Sequence, residues 1–166
     1  MSTTTQQLTN KYGKLAAWVY HLDKPIGKSF GDVAYYQSRL EGVSGTILEG
    51  GVGNGRILIP LTQAGLKVEG FDASFDMLEF CRKECADRGI VTSLRQERFL
   101  TFSYTKLYEA IIIPAGSFQL ITDFNEAIAV LKRCKDALMD KGRLIIDLST
   151  LEQLSLTAPR VRQWPI

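Results

Sequence analysis

Residues 47–56 run Ile-Leu-Glu-Gly-Gly-Val-Gly-Asn-Gly-Arg, an apolar stretch that meets a carboxylate and then a glycine-dense turn. Glycine alone lets a backbone turn this tightly and approach a ligand this closely, so the segment predicts a strand, a ligand-cradling turn and a helix start. Spacing separates the nucleotide sites such a turn could build. A Walker phosphate loop needs Lys and then Ser or Thr after its last glycine, whereas Gly50 and Gly55 have the right separation but are followed by Arg56 and Ile57. A dinucleotide fingerprint needs a third glycine three residues after the second. Counting from Gly51 and Gly53 that position is Arg56, and from Gly53 and Gly55 it is Leu58. An NAD-dependent oxidoreductase therefore rests on fold-level analogy alone. What remains is acid-x-Gly-x-Gly-x-Gly, with Glu49 at the strand end, where it would repel a pyrophosphate and welcome a cation. A second carboxylate, Asp72, follows Glu49 by 23 residues at the end of another strand-like run, where an acid can accept both hydroxyls of a ribose.

Together these stretches resemble class I S-adenosylmethionine-dependent methyltransferases of the small-molecule type, whose ligand carries a sulfonium and an ammonium. The resemblance implies that Glu49, Gly50, Gly51, Gly53, Asn54 and Gly55 form the cofactor turn. The family's second-strand signature, Gly-x-Asp-x-Ser, two residues, then Met-Leu, is met by Gly70, Asp72, Ser74, Met77 and Leu78. It implies that Asp72 holds the ribose, with Ala73, Ser74 and Met77 beside the adenosine. After the third strand the chain departs from the pattern. Where relatives commonly place an Asp near the adenine amino group, an ungapped alignment puts Arg98. Either Glu97 substitutes after a one-residue shift, or backbone groups and apolar contact with Phe99 hold the base. The segment 111–120, with Pro114 and Ala115, is similar to the family's loop beside the methionine part and the transferred methyl, and residues 141–147 match the loop and fifth strand. Tyr12, Tyr20 and Tyr36 suit the aromatic lid that many relatives close over the sulfonium, where ring faces attract a cation. The implied activity is methyl transfer to a small-molecule acceptor by direct displacement at sulfur, which depends mainly on positioning. No base is assigned, since a lone histidine such as His21 is more often a surface or satisfied core residue.

The elements that must position these residues follow from periodicity. Residues 46–48, 67–71, 90–94, 109–113 and 143–148 are the expected strands. Between them fall helices: one over residues 56–64 ended by Gly65, one N-capped by Ser74 and running toward Gly89, and one opened by Asp123 and Glu126 in capping-box spacing and closed at Gly142. Strands alternating with helices, several of the strands being continuous apolar runs, predict an α/β fold: a doubly wound, Rossmann-like parallel sheet of about five strands with helices on both faces. Residues 1–45, rich in aromatics, form the expected N-terminal helical lid, 46–149 the cofactor-binding domain, and 150–166 a partly helical or irregular tail. Full-length relatives continue into two more strands, so the chain is expected to be C-terminally truncated. Its fifth strand would then be an open edge, inviting a homodimer through that edge or by C-terminal exchange. A cofactor-binding or oligomerisation module without turnover is the corresponding alternative.

Composition narrows the partners. With 166 residues, 45% hydrophobic and 23% charged, the chain has the make-up of one globular domain and none of the bias of a disordered or collagenous one. A net charge of +2, without single-sign blocks, lends no support to a nucleic-acid partner. The N-terminus lacks the basic and apolar regions of a signal peptide and no apolar run is long enough to span a bilayer, so a cytoplasmic location without membrane association is expected. Cys81, Cys85 and Cys134 form no Cys-x-x-Cys pair, and with His21 the sole imidazole no zinc set is evident; they are read as reduced, packed thiols.

Overall fold

The computed structural model describes residues 12–150. Of the tail expected at 150–166, all but Thr150 lies outside them. Two helices come first, α1 (Lys14–Asp23) and α2 (Asp32–Arg39). There follow β1 (Thr46–Gly50), α3 (Leu58–Gln63), β2 (Lys67–Asp72), α4 (Phe75–Asp87), β3 (Leu94–Gln96) and β4 (Tyr108–Ile113), then a 3-10 turn (Ser117–Leu120), α5 (Phe124–Ala137) and β5 (Leu138–Ile146). The strands make one sheet of order β3-β2-β1-β4-β5, with every pairing parallel. This is the Rossmann-like α/β architecture that the sequence predicts.

Side chains alternate across a strand, and here both faces are buried. Ile47, Ala110 and Ile112 join one apolar cluster with α3, with Tyr36 of α2 and with Leu78, Cys81 and Cys85 of α4. Leu48, Ile111 and Ile113 join the other, against Val130, Cys134 and Ala137 of α5 and the Phe102 segment. The chain order reverses between β2–β3 on one side of β1 and β4–β5 on the other, which opens a crevice at the carboxyl ends of β1, β2 and β4.

Local chemistry sets the helix ends. Ser74 Oγ accepts from Met77 N at 3.1 Å, and Asp123 Oδ1 accepts from Glu126 N at 2.9 Å, so both predicted N-caps form. Three boundaries differ from expectation. Residues 90–93 are not strand: Gly89 adopts φ +65°, Gly89 N donates to Ala86 O and Ile90 N to Cys85 O, a Schellman closure of α4. Ile90 packs against the core as part of that closure, Val91 is 98% exposed, and β3 forms only at Leu94–Gln96. Likewise α5 stops at Ala137 instead of running to Gly142, because Leu138 already pairs with Tyr108 and starts β5, which ends at Ile146. The left-handed residue there is Lys141 (φ +62°), and Gly142 is required for space, since a Cβ would lie 2.9 Å from Met139 O. Helix α3 also starts later than expected, at Leu58, since Arg56 and Ile57 belong to the preceding turn. Among the described residues no helix is long and apolar enough to cross a membrane.

Candidate functional site

β1 delivers Glu49 and Gly50 to the crevice, and the turn beyond uses left-handed backbone at Gly51 (φ +71°), Gly53 (+56°) and Gly55 (+89°). Space favours glycine here too, and requires it most at Gly55. A Cβ would lie 3.1 Å from Ser117 at Gly51, 3.0 Å from Met77 Cε at Gly53 and 2.7 Å from Cys81 Sγ at Gly55. The turn is stitched to β2: Gly51 N and Val52 N both donate to Phe71 O, at 2.9 and 3.0 Å.

Asp72, at the end of β2, is held by two backbone donors, Gly53 N to Oδ2 at 2.9 Å and Ser74 N to Oδ1 at 2.8 Å. Its carboxylate is thereby aimed across the mouth of the glycine turn. Burial raises its pKa, and those backbone N–H groups oppose the shift. Glu49 is only 2% exposed, and its Oε2 has no hydrogen-bond partner among the described residues. Burial pushes the Glu49 carboxyl well above the usual carboxylate range; Arg56 pulls the other way, while Asp72 and Asp32 add to the rise. Arg56 does not neutralise Glu49, because its guanidinium forms a two-pronged pair with Asp32, at 3.0 and 2.6 Å, and donates to Lys28 O. That pair fastens α2 to the glycine turn. Asn54 fastens α1: its amide donates to Lys24 O at 2.9 Å and meets His21 Nδ1 at 3.2 Å.

Between these parts lies a cavity of about 370 Å³, within the range of small-molecule sites. Of the residues singled out in the sequence, Gly51, Gly53, Asp72, Ala73, Met77, Glu97, Arg98, Phe99, Ala115, Tyr12 and Tyr20 line it. Glu49, Gly50, Asn54, Gly55, Ser74 and Pro114 stand behind that wall. Ser74 is structural in two ways, capping α4 and donating its hydroxyl to Tyr12 O at 2.6 Å, which holds the N-terminal segment over the crevice. Tyr12 and Tyr20 meet edge to face with centroids 6.0 Å apart. Tyr36 departs from the lid expectation: it is fully buried in the core under α2, facing α3 and not the cavity, and burial raises its hydroxyl pKa.

The loop after β4 is locked in place by residues that follow β5. Ala115 takes a left-handed conformation (φ +56°), and its N–H donates to Asp147 Oδ2 at 3.1 Å. Gln119 and Ser149 exchange a pair of hydrogen bonds, Ser149 N to Gln119 Oε1 at 2.7 Å and Gln119 Nε2 to Ser149 O at 3.1 Å. Residues that sequence reasoning missed include Lys24, Leu100, Ile121 and Glu126, all in the cavity wall. Glu126 had a visible signal, its capping-box spacing, which pointed to the helix end alone.

Comparison with known proteins places this geometry. YqeM of Bacillus subtilis (strain 168), described as a methyltransferase, is 25% identical over 115 residues, covering 69% of this chain and 47% of its own length. The chain thus spans about half the length of that curated relative. Among solved structures, an S-adenosylmethionine-dependent methyltransferase from Clostridium acetobutylicum ATCC 824 superposes with a TM-score of 0.73 at 18% identity, over 89% of this chain and 61% of that one. CalS10, an amino pentose methyltransferase from Micromonospora echinaspora solved with S-adenosylmethionine bound, superposes with a TM-score of 0.65 at 22% identity, over 85% of this chain and 58% of that one. Residues 47–142, from β1 into β5, match the sequence pattern of the methyltransferase domain family, and the chain belongs to that family.

Proposed function

We propose that this chain binds S-adenosylmethionine and transfers its methyl group to a small-molecule acceptor. The observation that carries the reading is the cavity walled at once by the glycine turn and by Asp72, whose two oxygens are pre-set by Gly53 N–H and Ser74 N–H. In this reading Asp72 accepts from the ribose hydroxyls, and Phe71, Phe99, Ala73 and Met77 surround the adenosine. The sulfonium lies toward Tyr12 and Tyr20, whose ring faces favour a cation. Glu49, buried and with an unpartnered oxygen, faces the ammonium side from behind the turn. Transfer breaks the methyl–sulfur bond, whose electron pair stays on sulfur to give S-adenosylhomocysteine. The acceptor's lone pair forms the new bond, and its proton leaves to solvent. The chain's contribution is alignment and exclusion of water. CalS10 acts on an amino pentose, so amino sugars are the first acceptors to assay.

Titration calorimetry with S-adenosylmethionine and S-adenosylhomocysteine, with NAD as control, tests the cofactor. Micromolar binding of the first two and none of NAD is expected; binding of NAD alone would reject the reading. We further propose a cytoplasmic protein that pairs as a homodimer through β5, which is an edge strand among the described residues.

A further inference from the structure

We infer that Glu126 of α5 reads the exocyclic amine of adenine, taking the place of an acid at the end of β3. This rests on the cofactor reading above. The base must lie beyond the ribose-holding Asp72, toward β3 and the segment 97–100. Recognition of an exocyclic amine there needs an acceptor. The Arg98 side chain supplies only donors, and its carbonyl already accepts from Thr101 N and Phe102 N. Glu97 is engaged elsewhere: Arg95 Nε donates to its Oε2 at 3.1 Å, Ser103 Oγ donates to its Oε1, and Arg95 ties the pair on to Glu69 and Tyr108. That network gives each Glu97 oxygen a donor and holds the carboxylate in place in the cavity wall.

Glu126 reaches the same end of the cavity from the opposite wall. Seven residues on, Arg133 donates to Phe102 O at 2.9 Å and stacks its guanidinium 5.7 Å from the Phe102 ring centre, which fixes the side of α5 that faces segment 97–104. A spacing of seven keeps Glu126 on that side, about 10 Å nearer the helix N-terminus and level with the cavity. It lines the cavity with Phe99, Leu100 and Ile121. Its backbone N–H is used by Asp123, but among the described residues no donor reaches its carboxylate. A charged acceptor without a partner, in an otherwise largely apolar stretch of wall, suits a ligand N–H2 group.

The test compares two ligands by titration calorimetry on the whole chain: S-adenosylhomocysteine and S-inosylhomocysteine, in which a ring carbonyl replaces the amine. The native chain should prefer the adenosyl ligand by about tenfold or more, as expected when a charged acceptor is matched or mismatched. Glu126→Ala should abolish that preference. Glu126→Gln should abolish or reverse it, because a carboxamide can turn its N–H2 group toward the carbonyl. Both variants should fold, since the cap of α5 uses the backbone of residue 126 and the side chain of Asp123. An unchanged preference in both variants, no preference in the native chain, or a preference lost in Glu97→Gln but kept in Glu126→Gln would each overturn the inference while leaving the cofactor reading intact. Failure of the native chain to bind S-adenosylhomocysteine would overturn both.

Discussion

Two carboxylates with opposite surroundings dominate the site at the residue scale. Asp72 meets backbone donors on both oxygens and keeps a face toward the cavity. Its replacement, Asp72→Ala, should weaken S-adenosylhomocysteine binding by about 1–3 kcal/mol, the cost of leaving buried hydroxyls without a partner. Calorimetry on a folded variant checks this; unchanged affinity rejects the ribose role. Glu49 is the reverse case, buried beside a cation already committed to Asp32. Because burial raises its folded pKa above its unfolded value, the folded chain keeps a proton that the unfolded chain has released. Stability should therefore fall as pH rises from about 4.3, the unperturbed Glu value, through the folded pKa. Asp72 contributes with the same sign. Denaturant titrations across that range should show a shallower decline in Glu49→Gln than in the native chain, and an equal decline would mean that Glu49 titrates normally.

At the scale of elements, the glycine turn is held by side chains from both directions. Arg56 reaches outward to Asp32 and pins α2, with its side chain 5% exposed against 18% for Asp32. Removing the guanidinium leaves Asp32 its backbone donors Phe30 N and Val33 N but cuts the tie between α2 and the turn, so Arg56→Ala should cost about 1–3 kcal/mol in chemical denaturation. Asp32→Asn, which keeps a hydrogen bond, should cost less. Inward, Cys81 of α4 occupies the space that a Cβ on Gly55 would need, at 2.7 Å, whereas Gly65 has nothing within 4 Å; their φ values are +89° and +92°. Gly65→Ala should thus cost about 1–2 kcal/mol from backbone strain alone. Gly55→Ala should cost about 1–3 kcal/mol more from overpacking. Similar losses in the two would show that α4 yields easily and that the turn is not braced by it.

For the whole molecule, the reversal of chain order at β1 is what creates the crevice, and the N-terminal segment roofs it through Tyr12, Tyr20 and Lys24. The roof is anchored at separate points: Ser74 to Tyr12, Asn54 to His21 and Lys24, and Arg56 to Asp32. The β5 edge belongs to this scale too. Sedimentation over a range of concentrations should show a dimer, and a monomer at every concentration would refute pairing through that edge. Cys81, Cys85 and Cys134 are all buried and free, so alkylating reagents should label none of them before unfolding, although the hydrogen bond from Cys81 lowers the Cys85 thiol pKa while burial raises that of Cys134 to about 11.

How much of this was legible in the chain follows the range of the interactions. The glycine turn, the Asp72 position and the Ser74 and Asp123 caps depend on backbone preferences and on neighbours within a few residues, so composition and spacing were enough to determine them. The parallel, doubly wound sheet followed from the same alternation, while the order of its strands came from the structure. Tertiary structure decided the rest, because it depended on contacts between distant segments. Ile90 looks like strand until the closure of α4 claims it, and Leu138 looks like helix until Tyr108 pairs with it. Tyr36 looks like a lid until the packing of α2 on α3 buries it, and Glu126 looks like a cap until α5 lies beside Phe102 and turns it to the cavity. Local periodicity carries no information about which distant surface will cover a given face, and burial is what assigned these residues their roles.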